Sequence, residues 1–281
     1  MKKIACITLD IEPDLRDPQR RVRMFEDAGL MDKYVTVIQA SGIKVTGFLV
    51  TSLLETYGPE IDQFSQRIPI EFGVHSHNHD QQNACTREEV DQAFHAHQAF
   101  WENAPLGYRA PNGLIDKAGI NNLLDYKFQY DASIFPTIRF DEYGYMNLNF
   151  PIVPFRFVRG QESLVELPFA CLRTIRLVFS LSYAKLLSLS MYRMLMMFFP
   201  LPDVVILGSH PYDFYIPLII DNIKGWKRFG HLRNARRTFD IFEQIVKMLN
   251  GQGYEFMYMS ELSRYVQSMP DIRQISVDAL C

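Results

Sequence analysis

Short apolar runs alternate with helix-like segments along most of this chain of 281 residues. Each run is rich in Val, Ile, Leu or Phe and is bounded by polar or turn residues, which is typical of buried strands. The candidate strands are residues 4–9, 45–50, 70–74, 106–112, 129–135, 164–169, 204–209 and 255–259. Helix-like segments lie between them, at residues 31–41, 59–66, 86–103, 114–126, 234–250 and 261–267. Strands that alternate with helices form a parallel sheet, and at this length the sequence predicts an α/β fold closed into a barrel.

The composition excludes several classes of protein. The formal net charge is −3, so no overall positive field attracts nucleic acid. The cysteines are far apart in the sequence, which argues against a disulfide framework or a thiolate zinc site and indicates a reducing compartment. They are Cys6, Cys85, Cys171 and Cys281. The first apolar run is too short for a signal peptide, so we expect a cytoplasmic protein.

Residues 172–199 differ in composition from the rest of the chain. The segment is rich in Leu, Met, Phe and Ser, but basic residues interrupt it at Arg173, Arg176, Lys185 and Arg193. No uncharged stretch approaches the roughly 20 residues that a membrane span needs. Two interpretations stay open: helices packed against the core, or an amphipathic segment that contacts a membrane surface.

Side chains suited to catalysis follow the candidate strands or, for Arg109 and Asp131, lie within them. In chain order they are Asp10, Glu12, His75, His79, Arg109, Asp131 and His210. In a (β/α) barrel the carboxyl ends of the strands meet on one face, where active sites lie. His75 and His79 are four residues apart, and neutral imidazole is the commonest protein ligand of zinc-like metals. His95 and His97 lie two apart on a predicted helix and face different directions, so we expect surface or packing roles for them.

These residue types match the needs of metal-assisted amide hydrolysis. Three protein ligands leave one coordination position for water, and the metal lowers the pKa of that water. A carboxylate accepts the water proton, and a histidine donates a proton to the leaving nitrogen.

Five short motifs occur in order along the chain. TLDIE at residues 8–12 loosely matches an acidic TFDD-like motif, and HSHNH at residues 75–79 matches HSxxH in full. RAP at residues 109–111, YDAS at residues 130–133 and ILGSHP at residues 206–211 match an RxP-type, an Asp-centred and a leucine-to-HP motif. In this order they resemble the motifs of the polysaccharide deacetylases, carbohydrate esterase family 4, which share the chitooligosaccharide deacetylase homology domain.

The resemblance implies a fold and a set of roles. The fold is a distorted (β/α) barrel of about seven parallel strands, in a single domain over residues 1–268 that carries 172–199 as an inserted segment. We expect residues 269–281 to form a loosely ordered tail. The implied roles are His75 and His79 as metal ligands with one carboxylate, Asp10 as the catalytic base, Arg109 as the residue that orients it, His210 as the acid, and Asp131 as the residue that tunes this acid.

The first motif departs from the family pattern. Its acids are spaced Asp-Ile-Glu instead of adjacent. Some relatives with such spacing use the later acid as the ligand, so we assign Glu12 to the metal. Asp10 as the ligand, or a metal-free site as in some cyclic-amide hydrolases of this fold, stays an alternative. The cofactor is a divalent metal, with zinc favoured over cobalt, nickel, manganese and iron.

The predicted reaction removes an acetyl or formyl group from the nitrogen of an amino sugar. Without a signal peptide or anchor, a cytoplasmic glycan precursor of the cell envelope, lipid-linked or nucleotide-linked, is the expected substrate. Basic residues near the apolar segment would attract its phosphate or an anionic membrane at the inner face. They are Arg173, Arg176, Lys224, Lys227, Arg228, Arg233, Arg236 and Arg237. The alternatives are a metal-independent hydrolase of small cyclic or linear amides, and a carbohydrate-binding relative without activity.

Overall fold

A computed structural model describes residues 2–140, 144–225 and 227–280 of the chain. Its strands are β1 (Ile4–Ile11), β2 (Val45–Leu49), β3 (Ile70–Val74), β4 (Gly107–Tyr108), β5 (Tyr130–Asp131), β6 (Ile138–Arg139), β7 (Tyr145–Met146), β8 (Phe155–Arg159), β9 (Glu162–Glu166), β10 (Val204–Ser209), β11 (Glu255–Phe256) and β12 (Gln274–Ser276). Its α-helices are α1 (Arg23–Glu26), α2 (Ala28–Ser41), α3 (Leu53–Arg67), α4 (Arg87–Trp101), α5 (Lys117–Asp125), α6 (Leu181–Leu187), α7 (Leu189–Met196), α8 (Ile216–Ile219), α9 (Lys227–Leu232), α10 (Thr238–Gly251) and α11 (Met259–Gln267).

Seven parallel strands form the main sheet in the order β10-β1-β2-β3-β4-β5-β9. The antiparallel strand β8 and then β12 extend it beyond β9. On the other side, the segment after β9 returns to β10, where the backbone N–H of Ala170 donates to the carbonyl of Ile206 over 3.2 Å. An irregular segment thus completes the ring in place of an eighth strand. The predicted α/β class and distorted barrel are confirmed.

The strand register brings the predicted site residues to one edge of the sheet. Leu9 pairs with Ser209, so the residues that follow, Asp10 and His210, are neighbours. Register along β2 likewise pairs Leu49 with both Ile11 and Val74. Glu12 and His75, which follow these two partners, are therefore placed at the same level of the sheet.

The inserted segment folds as the helix pair α6 and α7. Its side chains Leu181, Ala184, Leu189 and Tyr192 are buried in the largest hydrophobic cluster, together with residues of β1 and β2. Packing against the core, one of the two interpretations left open, therefore applies to the inner face of this pair. Within the described residues, no helix combines the length and apolar character needed to cross a membrane.

The predicted loose order of residues 269–281 is wrong for most of the segment. Gln274–Ser276 forms β12, which pairs in parallel with β8. Val277, directly after this strand, is 1% exposed and belongs to the second hydrophobic cluster. Cys281 lies outside the described residues. The end of the chain is thus held by main-chain pairing and by one buried side chain.

The two largest differences between predicted and observed helix bounds lie at the starts of α3 and α10. Helix α3 begins at Leu53, well before Pro59, because the chain bends at Tyr57 (φ −122°) and lets the proline start a second helical stretch. Helix α10 begins at Thr238 because a 3₁₀ turn occupies Ala235–Arg237.

Replacing Val277 tests the anchoring of the C-terminal segment. We expect Val277→Ala to lower the free energy of unfolding by about 1–2 kcal/mol, because a buried side chain is truncated and leaves a cavity. Gln274→Ala, at an exposed position of the same strand, should leave it nearly unchanged. Urea titrations of both variants measure the difference, and equal midpoints would contradict the packing described here.

Candidate functional site

Glu12, His75 and His79 form a cluster at the carboxyl edge of the sheet. Glu12 follows β1, and His75 follows β3. Their ligand atoms all lie within 4.8 Å of one another. Oε2 of Glu12 is 2.5 Å from Nε2 of His79 and 3.2 Å from Nε2 of His75. In the part of the chain that the structure describes, this is the one His, Cys, Asp and Glu group with such spacing, and it contains the three predicted ligands.

The protonation of His75 suits this cluster to a cation. Its Nδ1 lies 2.7 Å from the carbonyl oxygen of Arg109, which can only accept, so Nδ1 carries the hydrogen. In the neutral ring, Nε2 then directs a lone pair toward Oε2 of Glu12. Two electron-rich atoms in this arrangement repel each other unless a positive charge lies near both. One carboxylate and two imidazoles, one of them oriented by a carbonyl behind it, fit a zinc-like divalent cation.

The loop at residues 75–79 is held by Glu89 of α4. Oε2 of Glu89 accepts the backbone N–H groups of His77 and Asn78 over 3.1 and 3.0 Å. Its Oε1 accepts the side-chain amide of Asn78 over 2.7 Å. A carboxylate that accepts three hydrogen bonds from one loop fixes the path of that loop.

The turn between the two ligand histidines is conformationally unfavourable. Ser76 and His79 have positive φ values of 63° and 58°, a region that residues with side chains rarely adopt. The N–H of His79 donates to Oγ of Ser76 over 2.9 Å, which helps to offset this cost. The middle histidine, His77, instead lies 2.9 Å from Oγ1 of Thr51 and is not part of the cluster.

Asp10 and Arg109 form a buried ion pair beside the cluster. Nη1 of Arg109 donates to Oδ1 of Asp10 over 2.5 Å and to Oγ1 of Thr8 over 2.7 Å. The guanidinium lies between the rings of Phe48 and Phe169, at 4.1 and 4.3 Å from their centroids. Arg109 is 1% exposed, so its charge is shielded from water and the direction of Asp10 is fixed.

Asp131 belongs to a different buried group. Its Oδ1 accepts the hydroxyl of Ser133 over 2.6 Å, and that hydroxyl oxygen accepts the N–H of Ala110 over 2.8 Å. Oδ2 of Asp131 and Oε2 of Glu166 are buried, and neither oxygen accepts a hydrogen bond from a donor within the described residues. Burial and the charge of Asp131 raise the pKa of Glu166 well above its usual range, and burial raises the pKa of Asp131 as well. Through Ser133, Asp131 therefore holds the backbone of Ala110 in the RAP segment.

His210 is oriented by Asp213. Oδ2 of Asp213 accepts the backbone N–H of His210 over 2.9 Å and lies 3.2 Å from its Nδ1. Lys185, from the inserted segment, donates to Oδ1 of Asp213 over 2.7 Å, and Ser182 donates to the same oxygen over 2.9 Å. The His210 ring stacks on Tyr212 with a centroid distance of 4.7 Å. Nε2 of His210 is left as the ring nitrogen that faces the site.

The acid and base candidates flank the ligand cluster. Nε2 of His210 is 4.0 Å from Oδ2 of Asp10 and 3.9 Å from Oε1 of Glu12. All three side chains border a cavity of about 860 Å³, together with His75, His79 and Arg109. Six of the seven predicted site residues therefore line one cavity.

Burial and neighbouring charges set the protonation states. Burial disfavours ionisation of Glu12, but His79 and His210 hold the pKa of its carboxyl well below the usual range. Burial lowers the pKa of His210, but the hydrogen bond to Asp213 and the charge of Glu12 outweigh this and raise it to about 9. Burial likewise opposes the charge of Asp213, yet Lys185 and His210 lower the pKa of this carboxyl strongly. Glu12 and Asp213 are therefore anions at neutral pH, and His210 is a cation.

One role predicted from the sequence, that of the carboxylate beside His210, belongs to a different residue in the structure. Among the described contacts, the carboxylate at Nδ1 of His210 is Asp213, whereas Asp131 accepts a hydrogen bond from Ser133 and is not among the residues that border the cavity. The spacing His210–Asp213 within HPYD is a local signal that points to this pair. No sequence signal points to Lys185, because it lies in the insert and meets Asp213 through the fold alone.

Comparison with known proteins identifies relatives of this architecture. The polysaccharide deacetylase family model matches residues 2–130. This match spans the first three motifs and stops before Asp131 and His210. No curated protein sequence matches the chain significantly.

Solved structures share the fold at low identity. A structure from Mycobacterium smegmatis assigned to the polysaccharide deacetylases has a TM-score of 0.60 at 15% identity, covering 95% of this chain and 91% of that one. A peptidoglycan N-acetylglucosamine deacetylase has a TM-score of 0.52 at 14% identity, covering 92% and 87%. A pseudoenzyme of carbohydrate esterase family 4 from Bacillus anthracis has a TM-score of 0.53 at 11% identity, covering 98% and 69%. Together with the family match, they confirm the resemblance that the five motifs predict.

The cluster predicts that substitutions of His79 and His77, two histidines of one loop, differ in their effect on the affinity for Zn²⁺. We expect His79→Ala to lower the affinity for Zn²⁺ by at least about tenfold, since one of three ligands is lost. His77→Ala, in the same loop but directed at Thr51, should bind Zn²⁺ like the wild type. Zinc content after dialysis and calorimetric titration measure both, and equal losses in the two variants would contradict the ligand assignment.

The contact with Asp213 predicts that a substitution of Asp213 changes the pKa of His210. In metal-free protein, we expect Asp213→Asn to lower the pKa of His210 from about 9, because the hydrogen bond to a carboxylate that raises it is lost. Ser182→Ala removes a donor to Asp213 but leaves its charge, so the pKa of His210 should change little. NMR titration of the imidazole signals measures these values. An unchanged pKa in Asp213→Asn would exclude Asp213 as the controlling partner.

Proposed function

We propose that this chain, which matches the polysaccharide deacetylase family over residues 2–130, is a metal-dependent hydrolase that removes an N-acyl group from an amino sugar. The observation that carries the proposal is the arrangement of the site. A ligand cluster of Glu12, His75 and His79 is flanked by the Asp10–Arg109 pair and by His210 within one cavity. A hydrolase of an amide needs these functions together.

The residues of the cluster fit a divalent metal as cofactor. Zinc is favoured by two imidazoles and one carboxylate, and cobalt, nickel, manganese and iron are the alternatives. Glu12 is the carboxylate ligand, because its Oε2 faces both ring nitrogens, whereas Asp10 faces Arg109. When bound, such an ion supplies a Lewis acid for the amide carbonyl and makes bound water more acidic.

Asp10 and His210 divide the proton transfers. Arg109 holds one oxygen of Asp10, and the other oxygen lies toward His210, so Asp10 accepts the proton of the attacking water. His210 is protonated at neutral pH and donates from Nε2 to the leaving amine nitrogen. Asp213, at Nδ1 of His210, stabilises the protonated ring and holds its orientation.

The cavity supports a sugar-sized substrate that extends beyond the acyl group. Besides the site residues, it is lined by the aromatic side chains of Phe135, Tyr145 and Tyr183 and by the basic side chain of Arg139. We propose a lipid-linked or nucleotide-linked amino sugar of cell envelope synthesis, whose phosphate would be attracted to basic residues at the mouth. We place the enzyme in the cytoplasm, with peripheral membrane contact through residues 172–199.

The alternatives differ in what they leave unexplained. A metal-independent hydrolase of small amides would leave the close grouping of Glu12, His75 and His79, whose ligand atoms lie within 4.8 Å of one another, without a role. The pseudoenzyme among the structural neighbours shows that this fold also exists without activity. Here Asp10, Arg109 and His210 border one cavity with the ligand cluster, which supports an active enzyme.

The proposed reaction can be tested with a panel of amino sugars. Purified chain, stripped of metal and then loaded with Zn²⁺, is assayed for acetate and formate release from lipid-linked, nucleotide-linked and free N-acyl amino sugars. We expect release to require the metal and to be largest for one linked substrate. Undiminished release by the stripped protein would exclude the metal mechanism and favour the small-amide hydrolase.

Two substitutions separate metal binding from proton transfer. We expect His210→Ala and Asp10→Asn each to lower kcat by roughly 10²–10⁴-fold, since positioned acids and bases contribute about this much. His210→Ala should keep its zinc, since His210 is not a ligand. The control is Ser209→Ala, a neighbour of His210 whose hydroxyl donates to the carbonyl of Thr8 within the sheet. Wild-type turnover in either His210→Ala or Asp10→Asn would refute the assigned role.

A further inference from the structure

Large apolar side chains are exposed on the four short helices α6 to α9 and on the turn that follows α7. In chain order they are Tyr183, Leu186, Met194, Met197, Phe198, Leu218, Phe229 and Leu232. Phe229, Phe198 and Met197 are the most exposed, at 78%, 72% and 72%. Scattered exposed apolar residues are normal, but a contiguous group indicates an interaction surface. We call this group the apolar face.

The helices that carry the apolar face contact one another. Helix α6 packs against α7 and α9, and α8 packs against α9. At the contact of α6 with α9, Cδ1 of Leu186 lies 3.6 Å from the position of a Cβ at Gly230. Asn234, just after α9, donates to the carbonyl of Lys185 in α6 over 2.8 Å. The two sequence segments thus form one structural unit.

The charges of this unit are mostly positive. Residues 172–199 contain no Asp or Glu, and residues 214–237 contain only Asp221. The carboxylate of Asp221 is 3.1 Å from Arg228 and is therefore neutralised. Exposed basic side chains at Arg193, Lys224 and Arg233 have no salt-bridge partner within the described residues; the side chain of Lys227 and all of Trp226 lie outside them. In a chain of net charge −3, this positive charge is concentrated locally.

The apolar face adjoins the mouth of the site cavity. Tyr183 of α6, which is 41% exposed, and Ile223, between α8 and α9, both border the cavity. On the loop that follows β6, Phe140 also borders the cavity and is 91% exposed. A molecule that enters the cavity therefore passes exposed apolar side chains.

We infer that the apolar face binds the surface of an anionic lipid bilayer and holds the cavity mouth against it. Exposed aromatic and aliphatic side chains insert at the interface, and surrounding Lys and Arg are attracted to anionic headgroups. Charge complementarity selects this occupant, since a second copy of the chain would place two positive faces against each other. The reason for docking rests on the proposed function: a lipid-linked amino sugar would reach His210 and the ligand cluster directly from the bilayer.

Vesicle flotation of the full-length, zinc-loaded protein tests the docking. We expect the protein to float with vesicles of phosphatidylcholine that contain about one third phosphatidylglycerol, and to bind pure phosphatidylcholine about tenfold more weakly. Salt at about 0.5 M should weaken binding, since it screens the basic residues. Absence of flotation with the anionic vesicles would overturn the inference.

Paired variants locate the contact. We expect Phe198→Asp/Phe229→Asp and, separately, Arg193→Glu/Arg233→Glu to lower the partition coefficient about tenfold or more. The matched controls are Leu106→Asp, at an exposed apolar position before β4 at the opposite edge of the sheet, and Lys247→Glu on α10. Controls that lose binding as strongly as the variants would overturn the assignment to this face. A wild-type dimer that Phe198→Asp/Phe229→Asp dissociates, with no flotation, would assign the face to a second copy.

Hydrolysis without vesicles separates the docking from the proposed function. Zinc-dependent release of acetate or formate from a water-soluble amino sugar should be unchanged in all four variants, because none of the substituted residues touches the ligand cluster. Normal hydrolysis without flotation refutes the docking and keeps the function. Flotation without any hydrolysis by the wild type refutes the function and keeps the docking.

Discussion

The buried guanidinium of Arg109 is the interaction on which the site depends. It donates to Thr8 and Asp10 of β1 and to the carbonyl of Ala132 after β5, so one side chain joins strands far apart in sequence. The backbone carbonyl oxygen of Arg109 contacts Nδ1 of His75 and fixes the orientation of that ring. A charge buried this deeply is tolerated only when it is paired and hydrogen-bonded. The positions of the proposed base and of one proposed metal ligand therefore both depend on Arg109, although its Nη2 is buried without a hydrogen-bond partner among the described residues.

Most of the fold and the ligand cluster follow from local sequence patterns. Runs such as 4–9 and 204–209 are mostly apolar because β1 and β10 are buried on both faces, and the polar residues directly after them are recognisable as site residues. The short strands are harder to delimit: β4 and β5 contain two residues each, and their bounds depend on pairing partners. The strand Gln274–Ser276 has no apolar run, and its pairing with β8 is set only when distant parts of the chain meet.

The partner of His210 illustrates the limit of sequence reasoning at the site. Motif order points to Asp131, but a carboxylate acts on the residue it touches, and the fold surrounds Asp131 with Ser133 and Glu166. Asp213 lies beside His210 because of the turn after β10. This turn brings the residue three positions after His210 close to the ring and the backbone N–H of His210. Lys185 completes this arrangement from an insert whose composition suggests only packing or membrane contact. Its charge is buried because Asp213 is its partner.

The buried carboxylates of this barrel differ because their neighbours differ. Glu166 has another carboxylate as its neighbour, so burial prevails and its pKa is raised well above the usual range. Asp213 has Lys185 and His210 as neighbours and remains an anion despite burial. Glu12 remains an anion beside His79 and His210, which is the state that a metal ligand requires. Asp10 is paired with Arg109 on one oxygen and leaves the other toward His210. The inserted segment therefore contributes to the proposed function in two ways. Its buried side orients the proposed acid, His210, through Lys185 and Asp213. Its exposed side carries the apolar face at the cavity mouth.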